Sequence, residues 1–538
     1  MMMHRNFYIL CLSALVLTGL SACSRSADLY DDPYGGGKEV IEVDFINTPP
    51  TPANGQPGQQ MTFAVKGLKP EMKDQLTFLA NGMTATIAAY TDSSVTIVLP
   101  DNVSSGGASL RVGGQIFPGP SFTIRGKLQK DPSFNPGTGV KGITNQILQL
   151  PNGNFMLAGS IYGYQGKDQA SGINGLVQID PSGNLAGNFS PGSGPAGFIN
   201  SVLRLPSGEF LIGGTMTTYD NVDGMNGLTV LNSNASIKTK IVSLYVSPNV
   251  SDPSMATDTV SWFNGNLTEG SISKLFYGND QITAVGSFER YGTYFYERST
   301  KDNKLFDYIP ANQLVRMDTE GNLDSSYSYN KTTRQALPGA NGSINDAFLQ
   351  PDGKLIVVGD FTTLRGKPAN RIARLNADGT LDAGFKTGAG ADDVIYSIRY
   401  NAVSKKIILT GNFSRFNNQP AEKIVMLDEL GQPDPAFKSA GFSGGLPTMA
   451  LQLGNGLVVV TGSFTTYNNI VRNGLMVLNA DGSLAAGYNA TGKIDGTVTD
   501  MIETKSGIGG LPAVMLVGYI SRFEGQPAGG ILKLVFNN

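Results

Sequence analysis

Side chains able to do bond-making chemistry are scarce in this 538-residue sequence. His4 is the one histidine, Cys11 and Cys23 are the two cysteines, and Trp262 is the one tryptophan. Beyond residue 23 there is neither an imidazole nor a thiol. That excludes Ser-His-Asp and Cys-His catalysis, zinc sites of the His/Cys kind and disulfides from the main body of the chain. What remains is carboxylates and aromatic rings. Asp258, Glu269, Glu289 and Glu297 fall in two irregular stretches, roughly 238–273 and 289–311, with Trp262, Phe263, Tyr291, Tyr294, Phe295, Tyr296 and Tyr308. Tyrosine and tryptophan give broad rigid contact area with a polar tip, suited to sugar rings or peptide side chains. Trp262, Phe263, Tyr291, Tyr294 and Tyr296 are therefore the ligand-binding candidates, with Tyr162 and Tyr164 as weaker ones. A carboxylate pair facing a pocket is the alternative, a glycoside hydrolase, and its outcome depends on a separation that sequence does not contain. No cofactor or metal is expected: Asp352, Asp378 and Asp481 each stand beside a glycine as turn residues, and no D-x-D-x-D-G loop occurs. The formal charge of −3 offers phosphates no basic surface, which argues against nucleic acid.

The N-terminus has the layout of an export signal. Arg5 precedes an apolar run from Phe7 to Leu20, followed by Leu20-Ser21-Ala22-Cys23. These four residues resemble a bacterial lipobox. The resemblance implies a signal peptide over 1–22, removal of His4 and Cys11, lipidation of Cys23 and outer-membrane attachment through the lipid alone. Residues 23–39, with Asp28, Asp31, Asp32 and Gly35-Gly36-Gly37, read as a flexible acidic tether of the kind seen in surface-exported lipoproteins.

Two kinds of element must position the candidate residues. From 40 to 125, short alternating runs recur about every ten residues, among them Met61–Val65, Gln75–Leu79, Ser94–Leu99 and Ser121–Ile124, which predicts a small β-sandwich. Pro57-Gly58, the Ser94–Pro100 text and the closing Phe122-Thr123-Ile124 resemble the IPT/TIG immunoglobulin-like family. From 126 to 538 the chain repeats. Seven apolar runs end in glycine, at Gly159, Gly214, Gly286, Gly359, Gly411, Gly462 and Gly518, at intervals of 55, 72, 73, 52, 51 and 56 residues. Two intervals carry extra residues, and these are the two irregular stretches. Asp-Gly and Asn-Gly pairs between the runs predict type I′ hairpin turns and four antiparallel strands per unit.

The text Leu355–Gly359, Gly359-x-Phe361, Ile372-Ala373-Arg374-Leu375-Asn376 and Asp378-Gly379-x-Leu381-Asp382-x-x-Phe385 resembles the delta-sixty repeat family. Blades of a seven-bladed β-propeller are what this implies. The last unit stops at Phe536 without its final strand, and Gly126 to Phe134 reads like the missing one, so the ring is expected to close by pairing first with last. An all-β protein follows, sandwich then propeller. Loop–face alternation within a blade places both expansions over one sector. Lipoproteins of this build resemble accessory subunits of Sus-like nutrient uptake systems, beside a TonB-dependent transporter and its substrate-binding lipoprotein. The resemblance implies a non-enzymatic, cell-surface binder of glycan or peptide; a docking propeller with no small ligand is the alternative.

Overall fold

The glycine-ended apolar runs are buried on both faces, and in the computed structural model, which describes residues 41–187, 189–249, 252–330, 332–333 and 335–537, they become the middle strands of seven antiparallel sheets. These strands are Phe155–Tyr164, Phe210–Gly214, Gln281–Gly286, Leu355–Gly359, Lys406–Gly411, Val458–Gly462 and Pro512–Phe523. Each pairs on one side with an inner strand: Val140–Gln149, Ile199–Arg204, Ile272–Gly278, Ile344–Leu349, Ile395–Asn401, Pro447–Gln452 and Ile494–Lys505. On the other side lies an outer strand: Leu176–Ile179, Leu228–Leu231, Leu314–Met317, Ile372–Leu375, Ile424–Leu427, Leu475–Leu478 and Ile531–Phe536. Inner strands contact one another in chain order, and the seventh contacts the first, so the sheets are the blades of a closed seven-membered ring. Cys23 and the whole export and tether segment up to 39 lie outside the described residues.

The fourth strand differs from expectation. In six blades it shrinks to one bridge, such as Leu375↔Leu381 or Leu478↔Leu484. A full fourth strand, Leu128–Lys130, exists in the seventh blade, paired with Leu534–Phe536. In blades three, four and five an aspartate follows the bridge, and its Oδ1 accepts the amide two residues on, from Ser326 to Asp324, Gly384 to Asp382 and Ala436 to Asp434; Asp131 makes the same turn after the full strand of blade seven. The turns differ too. Gly353 and Gly379 have φ of 82° and 81°, but the preceding aspartates do not enter the left-handed region. Gln350 N–H bonds the Lys354 carbonyl at 2.8 Å, so the loop is a type I turn closed by a left-handed glycine, not type I′. Asp352 favours it by accepting the Lys354 amide at 3.1 Å.

Every inner strand carries a bulge where two residues face one partner. On four blades the two side chains clasp the next blade. The first is a donor: Asn145 to the Ile199 carbonyl at 3.0 Å, Asn200 to Ile272 at 2.9 Å, Asn345 to Ile395 at 2.9 Å, and Thr499 to Thr144 across the closure. The second is an acceptor: Gln146 takes Val202 N–H, Ser201 takes Leu275, Asp346 takes Ile398 and Asp500 takes Ile147. Phe288, Phe361, Phe413 and Phe464 are fully buried in the packed blades.

The N-terminal sandwich holds Phe45, Phe63, Phe78 and Phe122 at its centre, with Phe63–Phe78 centroids 4.9 Å apart. Strand Met83–Tyr90 changes sheets midway. Residues 83–85 pair with Phe78–Ala80, and residues 86–90 pair with Val95–Val98. Sandwich and propeller fall in one compact unit, Asp44–Asn538. Ser105 N–H and Oγ both donate to the Ala490 carbonyl, at 2.8 and 2.9 Å. Arg472 donates Nη1 to the Asn102 carbonyl at 3.0 Å, and burial pushes its guanidinium down to about 10.

Candidate functional site: the paired insertions of blades two and three

The first expansion folds as a hairpin, Thr239–Ser243 with Thr257–Ser261. The second supplies strands Arg290–Tyr294 and Phe306–Pro310, which add to the short strand Asn266–Leu267. The two expansions touch. Lys304 Nζ meets Asp258 Oδ2 at 2.6 Å, Lys301 Nζ donates to the Ser254 carbonyl at 3.1 Å, and Tyr245 N–H donates to Ser299 at 2.9 Å. Asn264 stitches them further, its amide accepting from and donating to the Tyr294 backbone at 3.0 Å each way.

Not every sequence candidate reaches solvent. Phe263 and Tyr291 are each 1% exposed and cannot offer a ring to a ligand. The reason is positional. Tyr291 Oη donates to the Gly321 carbonyl at 2.6 Å, as Tyr164 does to Gly183 at 2.6 Å, Tyr219 to Ala235 at 2.9 Å and Tyr467 to Gly482 at 2.7 Å. It is blade three's copy of a scaffold tyrosine that pins the connection after the middle strand to the following turn. Tyr164, a weaker candidate, is excluded by the same burial, while Tyr162 is 44% exposed with Lys141 5.4 Å from its ring.

Trp262 is half-buried, and one face of it is covered: Lys238 Nζ stands 3.9 Å from the ring while also bonding Glu209 at 2.7 Å. Tyr294 and Tyr296 stack at 5.7 Å and 27°. Phe306 continues the row 5.0 Å from Tyr294, Tyr308 lies 6.2 Å beyond it, and Arg290 caps Tyr308 at 4.8 Å. Burial raises the hydroxyls of Tyr294 and Tyr296, which keeps both as neutral donors. Around this row Ile241, Tyr245, Phe295, Leu305 and Ile309 are exposed, so the region carries a concentration of surface apolar groups. Asp307 accepts the Tyr308 amide at 3.0 Å, and Pro310 has no amide to give, so the outer edge of the sheet is blunted against strand pairing.

Sequence reasoning missed two features. A 190 Å³ cavity opens beside the row, walled by Ile309, Pro310, Leu323, Tyr329 and Ala336, with the buried Tyr327 hydroxyl unpartnered at its wall. The second lies at the ring's centre. Arg399 donates to Asp346 of blade four at 2.6 Å and to Asp500 of blade seven at 3.0 Å, with Lys274 of blade three 3.5 Å from Asp346. Burial would raise the Asp346 carboxyl, but Lys274 and Arg399, helped by two amides, hold it below its ordinary 3.8. The cluster joins four blades across the axis. Nothing in the inner-strand text announces it, because the same bulge position is Gln146, Ser201, Lys274, Asp346, Ser397, Met449 and Asp500 in turn. Among the described residues no group of three His, Cys, Asp or Glu could hold a metal ion.

Residues 350–385 and 453–484 match a beta-propeller domain of unknown function, DUF5122. Residues 18–120 match a second domain of unknown function, DUF5008. No curated protein matches the chain. Among solved structures, an auxiliary nutrient binding protein from Bacteroides ovatus is 10% identical, with 93% of this chain and 98% of that chain covered and a TM-score of 0.28. An auxiliary nutrient binding protein from Bacteroides thetaiotaomicron is 10% identical, with coverage of 92% and 100% and a TM-score of 0.25. The WD40 beta propeller domain of Doa1 is 13% identical, with coverage of 76% and 96% and a TM-score of 0.36.

Proposed function

We propose that the chain is a non-enzymatic binding protein, held at the outer-membrane surface by lipid on Cys23, whose paired insertions seize a ligand or partner as an accessory subunit of a Sus-like uptake complex. One observation carries the reading. The two places where the repeat is broken fold onto each other and bear an aromatic row, half-buried at Tyr294, Tyr296 and Phe306 and open to solvent at Tyr308, in addition to the tyrosine the blades spend on the scaffold, Tyr291 in blade three. Peptide is favoured over glycan. A sugar ring stacks on an open aromatic face, and here Trp262, Tyr294, Tyr296 and Tyr308 each have a face against a neighbour. Ring edges, hydroxyls and aliphatic side chains are what the surface presents, beside a cavity smaller than the ~300–1,000 Å³ of ordinary ligand pockets, large enough for one anchoring side chain.

Peptide and glycan arrays probed with the wild type, Trp262→Ala, Tyr294→Ala and Tyr291→Phe test this. Peptide binding should fall at least tenfold in the first two variants and stay unchanged in Tyr291→Phe. Equal binding by all four proteins removes the site, and glycan binding lost in Tyr294→Ala overturns the choice of ligand class. Affinity purification from membranes tests the complex, and recovery of the chain without a transporter removes that part.

A further inference from the structure

We propose that Lys533 and Asp131 join through an amide bond between Nζ and Cγ, sealing the first and last strands of the ring covalently. The two residues face each other where blade seven closes, the Asp131 amide donating to the Lys533 carbonyl at 2.8 Å. Blades three, four and five have an aspartate in the same place, its amide bonded to the carbonyl of Arg316, Arg374 or Met426. Where the outer-strand residue is arginine, it holds the carboxylate by hydrogen bonds, at 2.7 Å to Asp324 and 2.8 Å to Asp382, and the pair is partly open to solvent or at its edge.

The closing pair departs from that pattern. Both side chains are wholly enclosed, Nζ is 3.4 Å from Oδ2, and neither atom makes a hydrogen bond. The nearby ring of Phe134, with its centroid 5.8 Å from Nζ, adds apolar wall. Oδ1, by contrast, receives three donors: Ser133 N–H at 2.9 Å, Ser133 Oγ at 2.6 Å and Ser506 Oγ at 2.9 Å. The carboxyl group is therefore asymmetric, with one oxygen cradled and the other bare beside an amine.

That asymmetry fits acyl transfer. Burial raises the Asp131 carboxyl, but Ser133, Ser506 and Lys533 together hold it below its ordinary value, so Asp131 starts as a carboxylate beside Nζ. Enclosure disfavours two separated charges, and proton transfer from Nζ to Oδ2 leaves a neutral amine against a carboxylic acid. The amine lone pair attacks Cγ, and negative charge develops on Oδ1, where the three donors already point. A second Nζ proton passes to Oδ2, the Cγ–Oδ2 bond breaks, and one water leaves. Ammonium plus carboxylate becomes amide plus water, with no oxidant or co-reactant, and two buried charges disappear.

Mass spectrometry of the full chain decides the matter. The wild type should weigh one water less than its sequence, and trypsin should release Asp131–Lys141 joined to Phe523–Asn538 as a branched peptide in nearly every molecule. Lys533→Arg installs the residue that blades three and four use, and should show full mass and separate linear peptides with unchanged circular dichroism. Asp131→Ala should likewise lack the branch. A wild type of full mass with a linear 131–141 peptide overturns the proposal, and so does a water loss without the branched peptide.

Discussion

Arg399 shows how one side chain can organise a ring. Its guanidinium spans carboxylates on blades four and seven, and a group removed from such a buried pair leaves charge without a partner. Arg399→Met should therefore destabilise the protein by about 3–5 kcal/mol in denaturant unfolding. A loss under 1 kcal/mol would show that the cluster is ornamental. The pH dependence follows from the lowered Asp346 carboxyl. A folded-state value below the ordinary 3.8 gives stability that is complete above the unfolded 3.8 and is lost as pH falls from there through the folded-state value. The wild-type midpoint should hold steady down to about pH 4 and decline below it. In Arg399→Met the acid decline should be shallower, because Asp346 loses a cation that depresses it and so gains less from being ionised in the folded state. These residues were illegible in the sequence for a physical reason: the axis-facing position has no single consensus type, with aspartate in blades four and seven alone, since each blade meets a different neighbour there. Tyr291 was misread in the opposite way, as a feature of the insertion, although its partner Gly321 sits in the ordinary repeat turn that Gly183 and Gly482 occupy.

At the scale of elements, the middle strands could be read because burial on both faces demands unbroken apolar runs, and glycine must follow where an inner-strand carbonyl comes close. At Gly359 a Cβ would sit 1.9 Å from the Ser343 carbonyl oxygen. The fourth strands could not be read, since an aspartate two residues before an amide looks the same in a strand as in a curl. In blade seven alone the fourth strand is complete, and there it closes the ring. Deleting residues 126–134 should expose the edge of Ile531–Phe536, lower the unfolding midpoint by several degrees and produce aggregation in light scattering. A monomeric deletion variant with the wild-type midpoint would contradict the closure. The sandwich should be unaffected, since its aromatic core draws on Phe45, Phe63, Phe78 and Phe122 alone.

For the whole molecule, location is the open question with the simplest test. Lipidation at Cys23 predicts that metabolic labelling with a fatty-acid analogue marks the wild type and that Cys23→Ser abolishes both the label and the membrane fraction. Surface protease treatment of intact cells then separates outward from inward display. Persistent membrane association of Cys23→Ser would point to an attachment other than the lipid. The sandwich is bonded to blade six and to the link into blade seven, and the aromatic row lies beside blade three, so the proposed binding surface is set away from that junction.

The pairing of Leu128 with Phe536 also sets a timetable. A ribosome or a secretion pore delivers the chain from its N-terminus, so the earliest strand of the propeller must wait until the final residues have emerged. Contacts between such distant parts of a sequence form slowly. A prematurely ended product can fold blades but never lock them, and proteases would recognise it by its gaping seventh blade.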